Sequence, residues 1–175
     1  MAGFGEQRGG KGIKGECNKQ RIGELLHRSG NNHYIKGDLK HAEEDYRRAI
    51  FIGYTNHATY SNLGAICQGS GRTDEAMSLF KKAIDINPDY HIAHMNLGNI
   101  YKDLGNLNQA LASMLKSIDL KPDNPYALTN LGGIYKELGN LDEALASTLK
   151  SLKLKPDNHT ALTNLGGIYI DLGDL

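Results

Sequence analysis

The sequence predicts an all-α fold, a solenoid of antiparallel helix pairs. Three columns of small residues carry this reading. Gly30, Gly64, Gly98, Gly132 and Gly166 stand 34 residues apart. Gly37, Gly71, Gly105, Gly139 and Gly173 follow each of them by seven, and Ala42, Ala76, Ala110 and Ala144 come five later. A fixed period of this length marks stacked supersecondary units, each burying its apolar face against its neighbours rather than in one central core.

The elements follow in order. Residues 1–20 hold six glycines, scattered Lys and Arg and few apolar side chains, so they form a disordered tail that cannot offset its ordering entropy. The array occupies 21–175, with units 23–56, 57–90, 91–124 and 125–158 and a partial unit 159–175. Unit 91–124 shows the design. Met95, Leu97, Ile100, Tyr101 and Leu104 give a first amphipathic helix, and Gly105 ends it as a left-handed cap. Asn106 can cap a second helix carrying Leu107, Ala110, Leu111, Met114, Leu115 and Ile118. Pro122 stops that helix, and Asp123 or Asn124 caps the next. Gly98 and Ala110 lack bulk where the two helices meet, so a large residue at either point should force them apart.

Composition narrows the function classes. The 175 residues are 39% hydrophobic and 23% charged, with a formal net charge of zero. Zero net charge gives no general attraction to nucleic acid or an anionic membrane. No apolar run resembles a signal peptide or a membrane span, and the expected location is the cytoplasm. Cys17 and Cys67 make no disulfide framework; Cys67 stands where neighbouring units have a tyrosine and reads as a small buried hydrophobe.

These residues resemble the tetratricopeptide repeat, whose pattern is Leu-Gly, Tyr, Ala, a large apolar residue, Ala and Pro within 34 residues. Leu63, Gly64, Ala76, Phe80, Ala83 and Pro88 match it, as do Leu97, Gly98, Tyr101, Ala110 and Pro122, and then Leu131, Gly132, Tyr135, Ala144 and Pro156. Unit 23–56 keeps Gly30, Gly37, Ala42, Tyr46 and Ala49 but has Tyr54 where the proline belongs. The resemblance implies a right-handed superhelical solenoid over residues 23–175. Thr148 and Ser151 depart from the pattern and predict looser packing in their helix; Met114 and Ser117 do so in part. Units 91–124 and 125–158 agree at 23 of 34 positions, as a recent duplication would leave them. The chain also looks like bacterial, cyanobacterial-type arrays that precede a glycosyltransferase or other transferase domain.

The sixth position of each unit forms a column: Asn62, Asn96, Asn130 and Asn164. Each precedes a core leucine, so each should face the inner groove. A similar asparagine ladder in the O-linked N-acetylglucosamine transferases holds an extended peptide by its backbone. A carboxamide donates and accepts at once, which suits a peptide group. Asn99, Tyr126 and Thr129 should share the groove, with Ile92, Met95, Asp103, Glu137, Thr160, Thr163 and Asp171 nearby. The family's clamp for chaperone C-termini needs cations, but here its positions hold His27, Asn31, Asn62, Ile92 and Asn96, so that ligand is rejected.

Other motifs read as bland. Gly5 to Lys11, GEQRGGK, fits part of a phosphate loop, but Gly12 replaces the magnesium-binding Ser or Thr and no strand precedes it. His91 and His94 have metal-compatible spacing without further ligands. No catalytic constellation stands out. The expectation is a non-catalytic scaffold without cofactor or metal that binds a protein or peptide, with no nucleic acid and no membrane. Its alternative is the substrate-recruiting arm of a larger glycosyltransferase-type enzyme. Leu175 falls inside the second helix of the fifth unit, so the chain reads as a fragment, or as one whose uncapped apolar edge self-associates.

Overall fold

The computed structural model describes residues 10–173. Those residues form nine α-helices and no strand: α1 (Gly10–Ile35), α2 (Leu39–Phe51), α3 (His57–Gly69), α4 (Thr73–Ile86), α5 (His91–Asp103), α6 (Leu107–Leu120), α7 (Pro125–Glu137), α8 (Leu141–Leu154) and α9 (His159–Leu172). The chain is an all-α helical repeat solenoid. Consecutive helices pack together, most closely in the pairs α1–α2, α3–α4, α5–α6 and α7–α8. Odd-numbered helices also touch one another, α3 with α5, α5 with α7 and α7 with α9. The odd helices therefore line the inner side of the stack.

Each hairpin closes by the same backbone device. Gly37, Gly71, Gly105 and Gly139 have φ between 74° and 79°, the left-handed region. The next residue's N–H then bonds back to the carbonyl five residues earlier: Asp38 to His33 at 2.9 Å, Arg72 to Cys67 at 2.9 Å, Asn106 to Tyr101 at 2.8 Å and Asn140 to Tyr135 at 2.9 Å. This is the six-to-one closure of a glycine-ended helix, and it satisfies carbonyls that the helix itself leaves unpaired.

The glycine column on the odd helices is a matter of clearance. A Cβ built on Gly98 would lie 3.2 Å from Met114 Cε and 3.3 Å from Ala110 O. At Gly64 it would meet the Phe80 ring at 2.9 Å, and at Gly30 the Tyr46 ring at 2.6 Å. The facing residue shrinks along the array, from Tyr46 and Phe80 to Met114 and Thr148, and all four are fully buried. Ala42, Ala76, Ala110 and Ala144 are buried as well. Thr148 sits against Gly132, and its hydroxyl has no partner. Cys67 is a buried hydrophobe as expected, with its thiol pushed up to about 11, first by desolvation.

Local expectations met three corrections. α1 begins at Gly10, so residues 10–20 continue a helix where the sequence places a disordered tail. Residues 16–20 are exposed and add nothing to the core. Extending a helix already nucleated by 21–35 costs far less than starting one. Residues 1–9, 174 and 175, with whatever is expected of them, lie outside the described residues. Asn106 and Asn140 precede α6 and α8 without a side-chain cap bond; both are exposed, where water can serve the first-turn N–H groups. Asn56, Asn124 and Asn158 do cap α3, α7 and α9. Finally, Tyr54 does more than replace a proline. It is buried and fills the space over Gly23, where any Cβ would collide with it.

Candidate functional site

The asparagine column lies on the odd helices, and the bonding of each member varies with the residue at the ninth position of the unit before it. Asn130 Nδ2 donates to Asn99 Oδ1 at 2.8 Å, from α7 to α5. Asn62 Nδ2 donates to Asn31 Oδ1 at 3.0 Å, from α3 to α1. For Asn164 the ninth residue is Gly133, and its Nδ2 donates instead to the Thr129 carbonyl at 3.1 Å. For Asn96 it is Ala65, and among the described residues Asn96 alone in the column makes no side-chain hydrogen bond. Three of the four thus clasp adjacent units, and one is free.

At the α1 end the clasp grows into a network. Tyr46 donates through its hydroxyl to Asn31 Oδ1 at 2.7 Å, and Asn62 Nδ2 also reaches that hydroxyl at 3.3 Å. Asn31 Nδ2 donates to His27 Nε2 at 3.1 Å, which leaves His27 Nδ1 to donate to Thr59 Oγ1 at 2.9 Å. One neutral tautomer satisfies both bonds. Burial and the neighbouring His57 lower the His27 pKa against the opposing pull of Glu24, favouring that neutral form. The half-buried Asn62 thus has its N–H group engaged within the structure.

Farther along, Asn99, Tyr126, Thr129 and Asn130 come together around a hollow of about 340 Å³, closed by Met95, Asn158 and Thr160. The hollow spans α5, α7 and the start of α9. Its chemistry is mixed. Met95 and the exposed Tyr126 ring offer apolar contact. The Asn130–Asn99 bond consumes one N–H and one oxygen, leaving Asn130 Oδ1 as acceptor and Asn99 Nδ2 as donor. Thr129 lines the hollow but does not offer its hydroxyl to it. Its side chain is buried, with Oγ1 2.9 Å from Pro125 O, 2.7 Å from Ser151 Oγ and accepting from Asn158 Nδ2 at 2.8 Å. It forms the floor of the hollow and has no hydroxyl to spare, because Ser151 replaces the usual apolar packing with a partner for it.

Cations also stand on this face. Lys102 Nζ lies 3.3 Å from Glu137 Oε1 and Lys136 Nζ 3.5 Å from Asp171 Oδ2, each bridging one odd helix to the next. Gly133 and Gly167 leave room for these ammonium groups. Lys155 Nζ donates to Tyr126 OH at 2.9 Å and lies 4.9 Å from the ring centroid. The signal was present in the repetition of lysine at the twelfth position, just before the acid at the thirteenth. Glu137 and Asp171, two of the acids expected on this face, are thus paired with lysines.

His91 and His94 do not converge: His94 Nε2 donates to Pro88 O at 2.8 Å, while His91 Nδ1 is buried without a partner. Most of the GEQRGGK run lies outside the described residues. No helix among the described residues is long and apolar enough to cross a membrane.

Three family models match: a tetratricopeptide repeat over 68–115, a TPR repeat over 98–139 and a tetratricopeptide repeat over 125–158. Together they span more than half of the chain. The chain belongs to the tetratricopeptide repeat family. No curated protein sequence matches this tetratricopeptide array. Solved structures do. MamA 41-end from Desulfovibrio magneticus RS-1 is 16% identical, with 87% of this chain and 86% of that one covered and a TM-score of 0.76. YrrB, described as a TPR protein with an unusual peptide-binding site, is 23% identical over 81% of this chain and 73% of its own, with a TM-score of 0.68. The first TPR of Spaghetti (RPAP3), bound to the HSP90 peptide SRMEEVD, is 23% identical over 67% and 94%, with a TM-score of 0.65. At these identities the likeness is one of fold.

Proposed function

We propose that this tetratricopeptide array is a non-catalytic interaction module that takes an extended peptide across α5, α7 and α9. The hollow beside the Asn99–Asn130 pair supports this reading. There a free donor and a free acceptor stand next to the Tyr126 ring and Met95, the combination that holds one peptide group and one adjoining side chain. Asn96 extends the row with a carboxamide that no neighbour occupies. Each such bond adds only about 0.5–1.5 kcal/mol net, so affinity should be modest and tolerant of sequence. The paired lysines and acids favour a peptide of low net charge. Where the array serves as the recruiting arm of a larger transferase, the same groove does the recruiting, and the gene sequence beyond Leu175 decides that reading.

A random peptide library panned on the full chain supplies the probe. Selected peptides, measured by fluorescence polarisation, should bind Asn99→Ala/Tyr126→Ala about tenfold or more weakly than the parent, two contacts of roughly 1 kcal/mol each being lost. Equal binding to parent and variant, with helicity unchanged in both, removes the groove as the site.

A further inference from the structure

His33, Asp38 and His41 converge at the turn between α1 and α2, away from the residues that form the hollow. Their meeting follows from the hairpin closure. Gly37 takes φ 77°, and the Asp38 N–H bonds to the His33 carbonyl at 2.9 Å, fixing the eleventh and sixteenth positions of the unit side by side. The nineteenth position follows in the first turn of α2. The later units close the same way but fill these positions with Cys67, Arg72 and Glu75, then Tyr101, Asn106 and Gln109. The first unit alone places two imidazoles and a carboxylate there.

The geometry is that of a ligand set. His33 Nδ1 lies 3.3 Å and His41 Nδ1 2.7 Å from the same atom, Asp38 Oδ2. One ligand atom from each of the three lies within 4.8 Å of the others, and this is the one such group of three or more among the described residues. The two oxygens of Asp38 divide their work: Oδ1 accepts from the His41 N–H at 3.3 Å and caps α2, while Oδ2 faces the imidazoles. Behind His33, Asp45 Oδ2 lies 4.0 Å from Nε2, the ring nitrogen not turned to Asp38. A carboxylate behind a ligating imidazole orients the ring and raises its basicity. The three side chains are partly exposed, between 36% and 58%, so an ion can enter.

We propose that His33, Asp38 and His41 bind a zinc-class divalent cation, with water completing a tetrahedral shell. Two imidazoles and one carboxylate suit zinc, and bonds of about 2.0 Å place its ligands roughly 3.3 Å apart. The His33–Asp38 separation already has that value; His41, the most exposed of the three and with its ligand atom within 4.8 Å of that of His33, would exchange its hydrogen bond for the metal and adjust its ring to the same spacing. The bound ion ties the end of α1 to the start of α2. The sequence hides this site because its ligands lie on two helices across a turn.

Isothermal titration of the full chain with zinc chloride tests the proposal, alongside His41→Gln, His33→Gln/His41→Gln and Asp38→Asn. Asparagine still caps a helix, so the last variant removes the ligand charge and keeps the turn. The parent should show one saturable site, weakened at least tenfold in His41→Gln and Asp38→Asn and lost in the double variant, with the helical circular dichroism of all four alike. Absence of a saturable site in the parent overturns the proposal. So does parent-like affinity in the double variant, which would place the ion on other histidines or cysteines.

Discussion

Asn130 and Asn99 join α7 to α5 by a single carboxamide hydrogen bond of 2.8 Å, while Asn96, one unit earlier in the same column, has Ala65 at the place equivalent to Asn99 and no such partner. The two asparagines should therefore separate in their effects. Asn130→Ala should lower stability by about 0.5–1.5 kcal/mol, the net value of a hydrogen bond. Asn96→Ala should stay within about 0.5 kcal/mol of the parent, as a partly exposed residue with no side-chain hydrogen bond to lose. Urea unfolding measures both, and a costly Asn96→Ala would show that this residue is structural after all.

The contrast also marks how far the sequence is legible. The 34-residue period fixes the register, and the register places the asparagines on one face; both follow from helix geometry alone. What each asparagine touches depends on a residue 31 positions earlier on another helix. Asn31 and Asn99 offer a carboxamide at that place and Ala65 and Gly133 do not, so the column is not bonded uniformly. At Thr129 the position faces the groove, but Ser151 and Asn158 draw its hydroxyl inward, which the register alone does not reveal. The lysine pairs and the His33–Asp38–His41 cluster were overlooked because they form between helices.

Thr148 and Ser151 both depart from the repeat pattern in α8, but they differ in their surroundings. Ser151 Oγ donates to Pro125 O at 2.7 Å, whereas the Thr148 hydroxyl is buried without a partner. Thr148→Val keeps the shape and removes the unpaired hydroxyl, so it should stabilise by roughly 1 kcal/mol. Ser151→Ala should destabilise by about 1–2 kcal/mol, because it strips a partner from buried polar groups. Thermal melts of the two variants should move in opposite directions.

Glu43 on α2 and Arg72 before α4 form a two-pronged pair, with both N···O distances 2.6 Å. The Arg72 hydrogen bonds, against opposing desolvation and with help from Arg47, hold the Glu43 carboxyl at about 2 instead of its ordinary 4.5. A carboxyl whose pKa is depressed on folding stabilises the fold above its unfolded pKa and loses that contribution as pH falls toward the folded one. The stability difference between parent and Glu43→Gln should therefore be constant above pH 5 and shrink between about pH 4.5 and 2. Denaturant midpoints taken across that range measure it; a gap that persists at pH 2 would assign the difference to packing.

Glycine serves two purposes in this array, and alanine substitution distinguishes them. Gly105 has φ 74° in the turn closing α5, with nothing within 4 Å of a built Cβ. Space is free there but the backbone conformation is not, so Gly105→Ala should cost about 1–2 kcal/mol through left-handed strain. Gly133 lies inside α7, where a Cβ would meet Asn164 Nδ2 at 3.6 Å and Lys102 Nζ at 3.7 Å, both ordinary contacts. With no strain and a gain in helix propensity, Gly133→Ala should stabilise by roughly 0.5–1 kcal/mol. Chemical denaturation of the pair checks both signs. A loss at Gly133 would mean that the added methyl pushes Lys102 off Glu137 or Asn164 off the Thr129 carbonyl, and that the inner face tolerates less than its distances imply.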